Sequence, residues 1–186
     1  YGMASDYNAG NAQITTLGHV FRVSADTEIK TQVRHGDYAR DLRASAIRFA
    51  GGNIAANTLD GFGPQTAFTR GTNLKIQDLE TTQLQTDLST RFTAWGVKHD
   101  LLAGIDVSKD DRVVYAARTA AQGGVNLTKP NTLAGTPDDG ATVDEASRVL
   151  RPGNDFTAKA SGAYAQDNVE IAKDLKLVAG LRFDRL

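Results

Sequence analysis

QLQTDLSTRFTAWGVKHDLLAGIDVSKDD (83–111) is the stretch whose reading decides the fold. From Leu84, the series Leu84, Thr86, Leu88, Thr90 and Phe92 alternates with Gln85, Asp87, Ser89 and Arg91. After a break at Trp95 and Gly96, the alternation resumes at His99, Leu101, Ala103, Ile105 and Val107. A period of two belongs to a β-strand, whose successive side chains point to opposite faces. Leu84, Leu88 and Phe92 are also spaced for one face of a helix, but the threonines at 81, 82, 86, 90 and 93 favour strand. With Trp95 and Gly96 at the centre of a turn, Phe92 falls opposite His99. The apolar side chains of both strands then share one face, which is what fixes a register.

The same pattern occurs twice more. Leu17, His19, Phe21 and Val23 are followed by Ile29, Thr31, Val33 and His35. A turn at Ala25, Asp26 and Thr27 predicts Val23 facing Ile29. Ala163, Ala165, Asp167, Val169 and Ile171 are followed by Leu175, Leu177, Ala179, Leu181 and Phe183. A turn at Ala172, Lys173 and Asp174 predicts Ile171 facing Leu175 and Val169 facing Leu177.

Between these three hairpins lie two irregular stretches, 37–73 and 116–155. They hold all four prolines (Pro64, Pro130, Pro137, Pro152) and most of the glycines, and read as long loops. VDEASRVL (143–150) reads as a short helix within the second. Loops this long count against a compact soluble domain. They suit a transmembrane barrel, which has short turns on one side and long loops on the other. Phe92 and Trp95 lie at a short-turn end; Tyr38, Tyr115 and Phe156 lie at long-loop ends, as an aromatic girdle would. The expected fold is an all-β, antiparallel transmembrane β-barrel segment of about six strands, spanning 1–186.

Composition bounds the rest. A formal net charge of −1 gives no electrostatic case for nucleic acid. The absence of cysteine removes disulfides, thiolate metal sites and thiol nucleophiles. Mean hydropathy is −0.35 and no run approaches the ~18 apolar residues of a membrane helix. A barrel strand needs only ~9–11 residues, and its alternation averages hydropathy away. No secretory leader is legible at YGMASDYNAG (1–10). Six strands fall short of the about eight that close the smallest membrane barrels, so the chain reads as part of a larger wall.

Residues 83–111 resemble a barrel hairpin of ferrichrome-type and related TonB-dependent siderophore receptors. The likeness lies in the Leu-Gln start, the Phe before a Gly-containing turn, the His, and Leu-Leu-x-Gly-x-Asp. SGAYAQDNVEIAKDLKLVAGLRFDRL (161–186) resembles the following hairpin and HVFRVSADTEIKTQVRHGDY (19–38) the preceding one. GDYARDLRASAIRFA (36–50) resembles loop sequence of the catecholate-type branch. The resemblance implies a bacterial outer-membrane barrel of about 22 strands that imports ferric siderophores. It also implies a plug domain and a TonB-contacting segment, neither visible here, with outer-membrane lipid around the wall. Barrels of this kind also import cobalamin, other metal chelates or carbohydrates, and a passive porin shares the strand pattern.

Ferric siderophores are bulky and often anionic, and such receptors hold them with loop aromatics and arginines. Arginine presents a planar, permanently charged fork to anionic oxygens. The expected ligand-binding residues are Arg43 and Arg48 first, then Tyr38, Phe49, Arg40, Arg70, Tyr115 and Arg118. Ordinary loop ion pairs compete for each arginine. The first loop nets +1 through Arg40, Arg43, Arg48 and Arg70 against Asp37, Asp41 and Asp60, so there is no basic funnel.

Enzymatic chemistry finds no footing. His19, His35 and His99 lack metal-ligand spacing, and GFGPQT (61–66) lacks the Lys-Ser/Thr of a phosphate loop. Asp110-Asp111 and Asp138-Asp139 lack the spaced oxygens of a calcium loop and read as solvated loop charge. No nucleophile elbow occurs. The sequence therefore predicts no catalytic residues, no metal and no cofactor beyond the siderophore as cargo.

Overall fold

A computed structural model describes residues 1–51 and 61–186. Among these, the elements are β1 (Tyr7–Arg22), β2 (Thr27–Phe49), β3 (Ala67–Ala94), β4 (Val97–Ala117), β5 (Thr132–Leu133), β6 (Leu150–Ala172) and β7 (Leu175–Arg185). They form one sheet in the order β1-β2-β3-β4-β6-β7, with two-residue β5 pairing antiparallel to β3. The all-β antiparallel class expected from the alternation holds, with the three hairpins β1–β2, β3–β4 and β6–β7.

The strands outrun the alternation. Residues 37–49 belong to β2 and 67–73 to β3, although both were expected within the loop 37–73. The hydropathy period follows a difference between the two faces, whereas the backbone ladder does not need one. In these extensions the buried positions include the charged Arg43 and Arg70, so burial no longer follows hydropathy and the period fades while the strand continues. Part of that connection, 52–60 with Asp60, lies outside the described residues. The second connection runs from Arg118 to Val149, close to the expected 116–155. Its expected helix is a single 3-10 turn at Glu145–Ser147, started by the Asp144 carboxylate accepting from the Ala146 N–H. Asp110 and Asp111, expected in a loop, lie within β4.

The chain packs as two compact units. One comprises 12–37, 79–112 and 156–186; the other comprises 1–11, 38–78 and 113–155.

The first unit is a sheet with one apolar and one polar face. On the apolar face, Thr27 bonds Thr90 at 2.7 Å, Thr31 bonds Thr86 at 3.2 Å and His35 bonds Thr82 at 3.0 Å. This register sets Ile29 opposite Leu88 and Val33 opposite Leu84, so threonine and aliphatic pairs alternate, each a stabilising cross-strand contact. β6 and β7 pair Ala163 with Phe183, Ala165 with Leu181 and Val169 with Leu177, as the sequence predicts. Ile171 does not face Leu175: a bulge after Glu170 sets Ala172 there and leaves a two-residue turn at Lys173 and Asp174. The first turn closes by the Val23 N–H donating to the Thr27 carbonyl, so it occupies 24–26 rather than 25–27. Trp95 and Gly96 both take positive φ (51° and 78°), the type I′ hairpin geometry that follows strand twist. Phe92 faces His99 as expected, stacked at 4.8 Å between ring centroids.

The polar face carries a repeated diagonal contact. Tyr164 on β6 reaches over β4 to donate its hydroxyl to Asp87 on β3. Gly104 lies beneath it, and a Cβ there would sit 2.6 Å from the Tyr164 ring. Arg182 on β7 likewise reaches over β6 at Gly162 to Asp106 on β4, at 2.9 Å. Glycine is required at both crossings because any side chain would fill the path.

Burial is inverted relative to a soluble domain. Among the described residues the buried hydrophobics are Met3, Phe68 and Ile76, all in the second unit. In the first unit the large apolar side chains face outward, with Leu181 80% and Phe183 71% exposed. A chain of this size in water would bury such residues, whereas a bilayer does so from outside.

Candidate functional site

The expected ligand residues all fall in the second unit. β2 carries Tyr38, Arg40, Arg43, Arg48 and Phe49; β3 carries Arg70; β4 carries Tyr115, with Arg118 just beyond it. The 118–149 connection is pinned onto these strands by two buried charge clusters.

In the first cluster Lys129, its side chain 1% exposed, lies 3.2 Å from Asp6 and 3.3 Å from Glu145. Asp6 also accepts from the Ser45 N–H at 2.9 Å and the Ser45 hydroxyl at 3.0 Å. Arg148 pairs with Glu145, and Arg43 donates to the Glu145 carbonyl while its fork grips Asp41 at 2.9 Å. Burial pushes the Glu145 carboxyl up, but hydrogen bonds and charge from Arg148 and Lys129 outweigh it and hold the group below its ordinary value. Asp6 follows the same logic: burial raises it, and donors from Met3, Ser45 and Lys129 bring it down.

In the second cluster Arg70 has a fully buried side chain and donates bidentately to Asp139 at 2.8 and 2.9 Å. Its third donor meets the Tyr1 carbonyl at 2.8 Å. The Arg70 hydrogen bonds, helped by the Ala141 N–H, lower the Asp139 carboxyl to about 2. Asp139, expected as solvated loop charge, is thus the partner of a buried arginine. Beside this cluster Phe68 gathers Tyr1, Phe49 and Phe62, with centroids 5.1, 5.2 and 6.4 Å away.

Arg43 and Arg70 therefore have their guanidinium groups committed within the chain. Arg48 and Arg118 are exposed, and Arg40 is exposed with Nε 3.2 Å from Asn8. Tyr38 is half-buried, and the Tyr115 hydroxyl donates to Asp78 at 2.9 Å. Arg40 and Tyr115 come together, lining a cavity of about 410 Å³ with Asp41, Asp78, Ile76 and Pro152. The other expected residues do not converge on it. The roles of Lys129, Asp6 and Glu145 left no sequence signal, since 123 residues separate Asp6 from Lys129 and each alone reads as surface charge. Among the described residues no group of His, Asp and Glu side chains is placed to hold a metal.

The family described as "TonB dependent receptor-like, beta-barrel" matches residues 1–186. The chain belongs to this family of TonB-dependent receptor barrels. This TonB-dependent receptor segment is 23% identical over 187 residues to the catecholate siderophore receptor Fiu of Escherichia coli O6:H1, covering 99% of this chain and 23% of that protein. The solved ferric-catecholate import receptor Fiu of E. coli K12 superposes with a TM-score of 0.79 at 21% identity, covering 99% of this chain and 26% of that one. The siderophore receptor PiuA of Acinetobacter baumannii gives 0.70 at 20% identity, covering 99% and 26%. At these identities the structural likeness is one of fold. The TonB-dependent receptor segment spans about a quarter of the length of the curated relatives it matches. Those relatives are named as receptors, not enzymes.

Proposed function

We propose that residues 1–186 form part of the wall of a bacterial outer-membrane, TonB-dependent receptor that imports ferric siderophores, of the catecholate class, into the periplasm. The observation that carries this is the match of the whole chain to the receptor barrel family. The outward apolar face of the first unit and the names of the relatives agree with it. On this reading the short turns lie on the periplasmic side and the long connections outside the cell. The polar face, with Tyr164, Gln166, Asn168, Glu170, Lys176, Arg182 and Asp184, lines the lumen against a plug domain supplied by the rest of the receptor. The plug couples transport to TonB.

Ligand contact falls to the exposed arginines Arg40, Arg48 and Arg118 with Tyr38, Phe49 and Tyr115. Arg43 and Arg70 hold the 118–149 connection in place, so they shape the site rather than touch the anion.

The test is radio-iron uptake by cells expressing the full-length receptor, with a panel of ferric catecholates and other siderophores, with and without a protonophore. Uptake of a catecholate chelate that collapses with the protonophore is expected. Uptake indifferent to the protonophore would replace the proposal by a passive pore. Absence of uptake from every iron chelate would replace it by another cargo, such as cobalamin or a carbohydrate.

A further inference from the structure

On the apolar face of the first unit, a groove of about 600 Å³ is lined by Lys109, Lys159 and Arg185 together with Leu84, Val107 and Leu186. The three cations stand on adjacent strands β4, β6 and β7. Each lies just past the apolar band: Lys109 follows Ile105 and Val107 on its face, and Arg185 follows Leu181 and Phe183. Lys109 and Lys159 lie in mid-strand and Arg185 ends β7, all three on the side of the apolar band remote from the short turns.

The register sharpens this. Thr157 donates to Asp111, and Tyr164 lies over Gly104, so β4 and β6 pair with Lys159 directly opposite Lys109. Arg185 pairs with Ser161, one step along the same face. Like charges directly opposite across a ladder are destabilising. The nearby counter-charges do not cancel the cluster. Asp111 holds Lys109 at 2.5 Å, and Glu80 also acts on Lys109. Both carboxylates lie on the far side of the lysines from the apolar band. Asp111 also attracts Lys159 at longer range, but neither Lys159 nor Arg185 has a carboxylate within ion-pair distance among the described residues.

A pair of opposed lysines and an arginine, bounded on one side by aliphatic side chains, matches one kind of occupant: an anionic headgroup whose acyl chains run down the apolar face. We propose that Lys109, Lys159 and Arg185 bind the phosphate of an outer-leaflet membrane lipid. The inference rests on the membrane-facing reading of this face. Phosphate fits because it offers several acceptor oxygens to cations on three strands, and cations near a membrane surface each add about 1 kcal/mol of attraction to anionic lipid.

The test uses the full-length receptor, folded and purified in neutral detergent, with lipid retention read by native mass spectrometry. Added probes are phosphatidic acid, phosphatidylcholine and inorganic phosphate. The expected result is selective retention of phosphatidic acid, weakened roughly fivefold by K159Q and again by K109Q, and unchanged by K173Q in the remote turn. Heat-modifiable gel mobility verifies that each variant is folded; should K109Q fail that check, K159Q and R185Q carry the test. Equal retention of both lipids, or selectivity untouched by the variants, would overturn the headgroup site while leaving the membrane face intact. Displacement of phosphatidic acid by millimolar inorganic phosphate would overturn it in favour of a free-anion site. Retention of no lipid at all would overturn the site and the membrane reading together.

Discussion

Arg70 shows how a charge in this chain changes role with its surroundings. A guanidinium with no exposed surface needs partners within the chain, and Asp139 with the Tyr1 carbonyl takes three of its N–H groups. Replacing Asp139 by Asn should leave that buried charge uncompensated. We expect faster amide exchange across 130–145 in D139N than in the parent, with the β6–β7 pairing unchanged; equal protection would show the pair to be dispensable. The same bond sets a pH response. A carboxyl at about 2 in the folded chain, against an ordinary 3.8, contributes stability that is present above pH 4. That stability is lost as pH falls from about 4 toward 2. Asp6 and Glu145, also lowered, act in the same direction. Protection of the 118–149 connection, read by exchange at pH 6, 4 and 2.5, should therefore fall at the acid end. Lys129 is the sharper probe. Removing it by K129M leaves Asp6 and Glu145 facing each other without their shared cation, and breaking a buried pair costs about 3–5 kcal/mol. The connection should detach from Ser45 and Arg43, seen as new protease cleavage between 120 and 145.

At the scale of the element, the hairpins were legible because each strand faces two different surroundings. Leu84 to Phe92 and Leu175 to Phe183 alternate for that reason, and Trp95-Gly96 announces its own turn. The extensions 37–49 and 67–73 were not legible, since their buried positions include the charged Arg43 and Arg70 and so carry no apolar period. The bulge between Glu170 and Ala172 was hidden because one extra residue in a ladder has no composition of its own. The clusters around Lys129 and Arg70 depend on partners far apart in sequence, so local pattern could not find them. Exposed Arg48 and buried Arg43 look alike in sequence and differ only in what the 118–149 connection brings to them. Two predictions belong at this scale. Gly104→Ala would put a methyl into the Tyr164 ring and within 2.7 Å of Asp87. The resulting overpacking should cost about 1–3 kcal/mol, measured as a lower urea midpoint of the folded barrel. Y164A in the same background should recover part of that loss, since it vacates the path. Gly96→Ala places a side chain at φ 78°, costing about 1–2 kcal/mol. Slower appearance of the heat-modifiable form during folding into vesicles would register it.

At the scale of the whole molecule, the governing fact is that the apolar face of the first unit is exposed and the strands at both ends of the sheet order, β1 and β7, are exposed along their lengths. Lipid cannot satisfy open backbone edges, so in the membrane both edges must be paired. The outward face then sets a depth scale. Leu88 and Leu181 each lie six residues from the short-turn ends of their strands, Ala94 and Leu175, whereas Leu175 itself opens β7 beside the Lys173-Asp174 turn. A bilayer charges an arginine about 2–4 kcal/mol at its midplane and about 0–1 near an interface. In the full-length receptor, L88R and L181R should each lower folding stability in vesicles by the larger amount, and L175R by the smaller. A soluble sheet predicts no such ranking: arginine in place of exposed Leu175, exposed Leu181 or half-buried Leu88 would show no dependence on distance from the turn. Urea titrations of the three variants therefore separate the two environments by gradient rather than by any single value. A flat response across Leu88, Leu181 and Leu175 would remove lipid from the outward face, and with it both the transport reading and the headgroup site that depends on it.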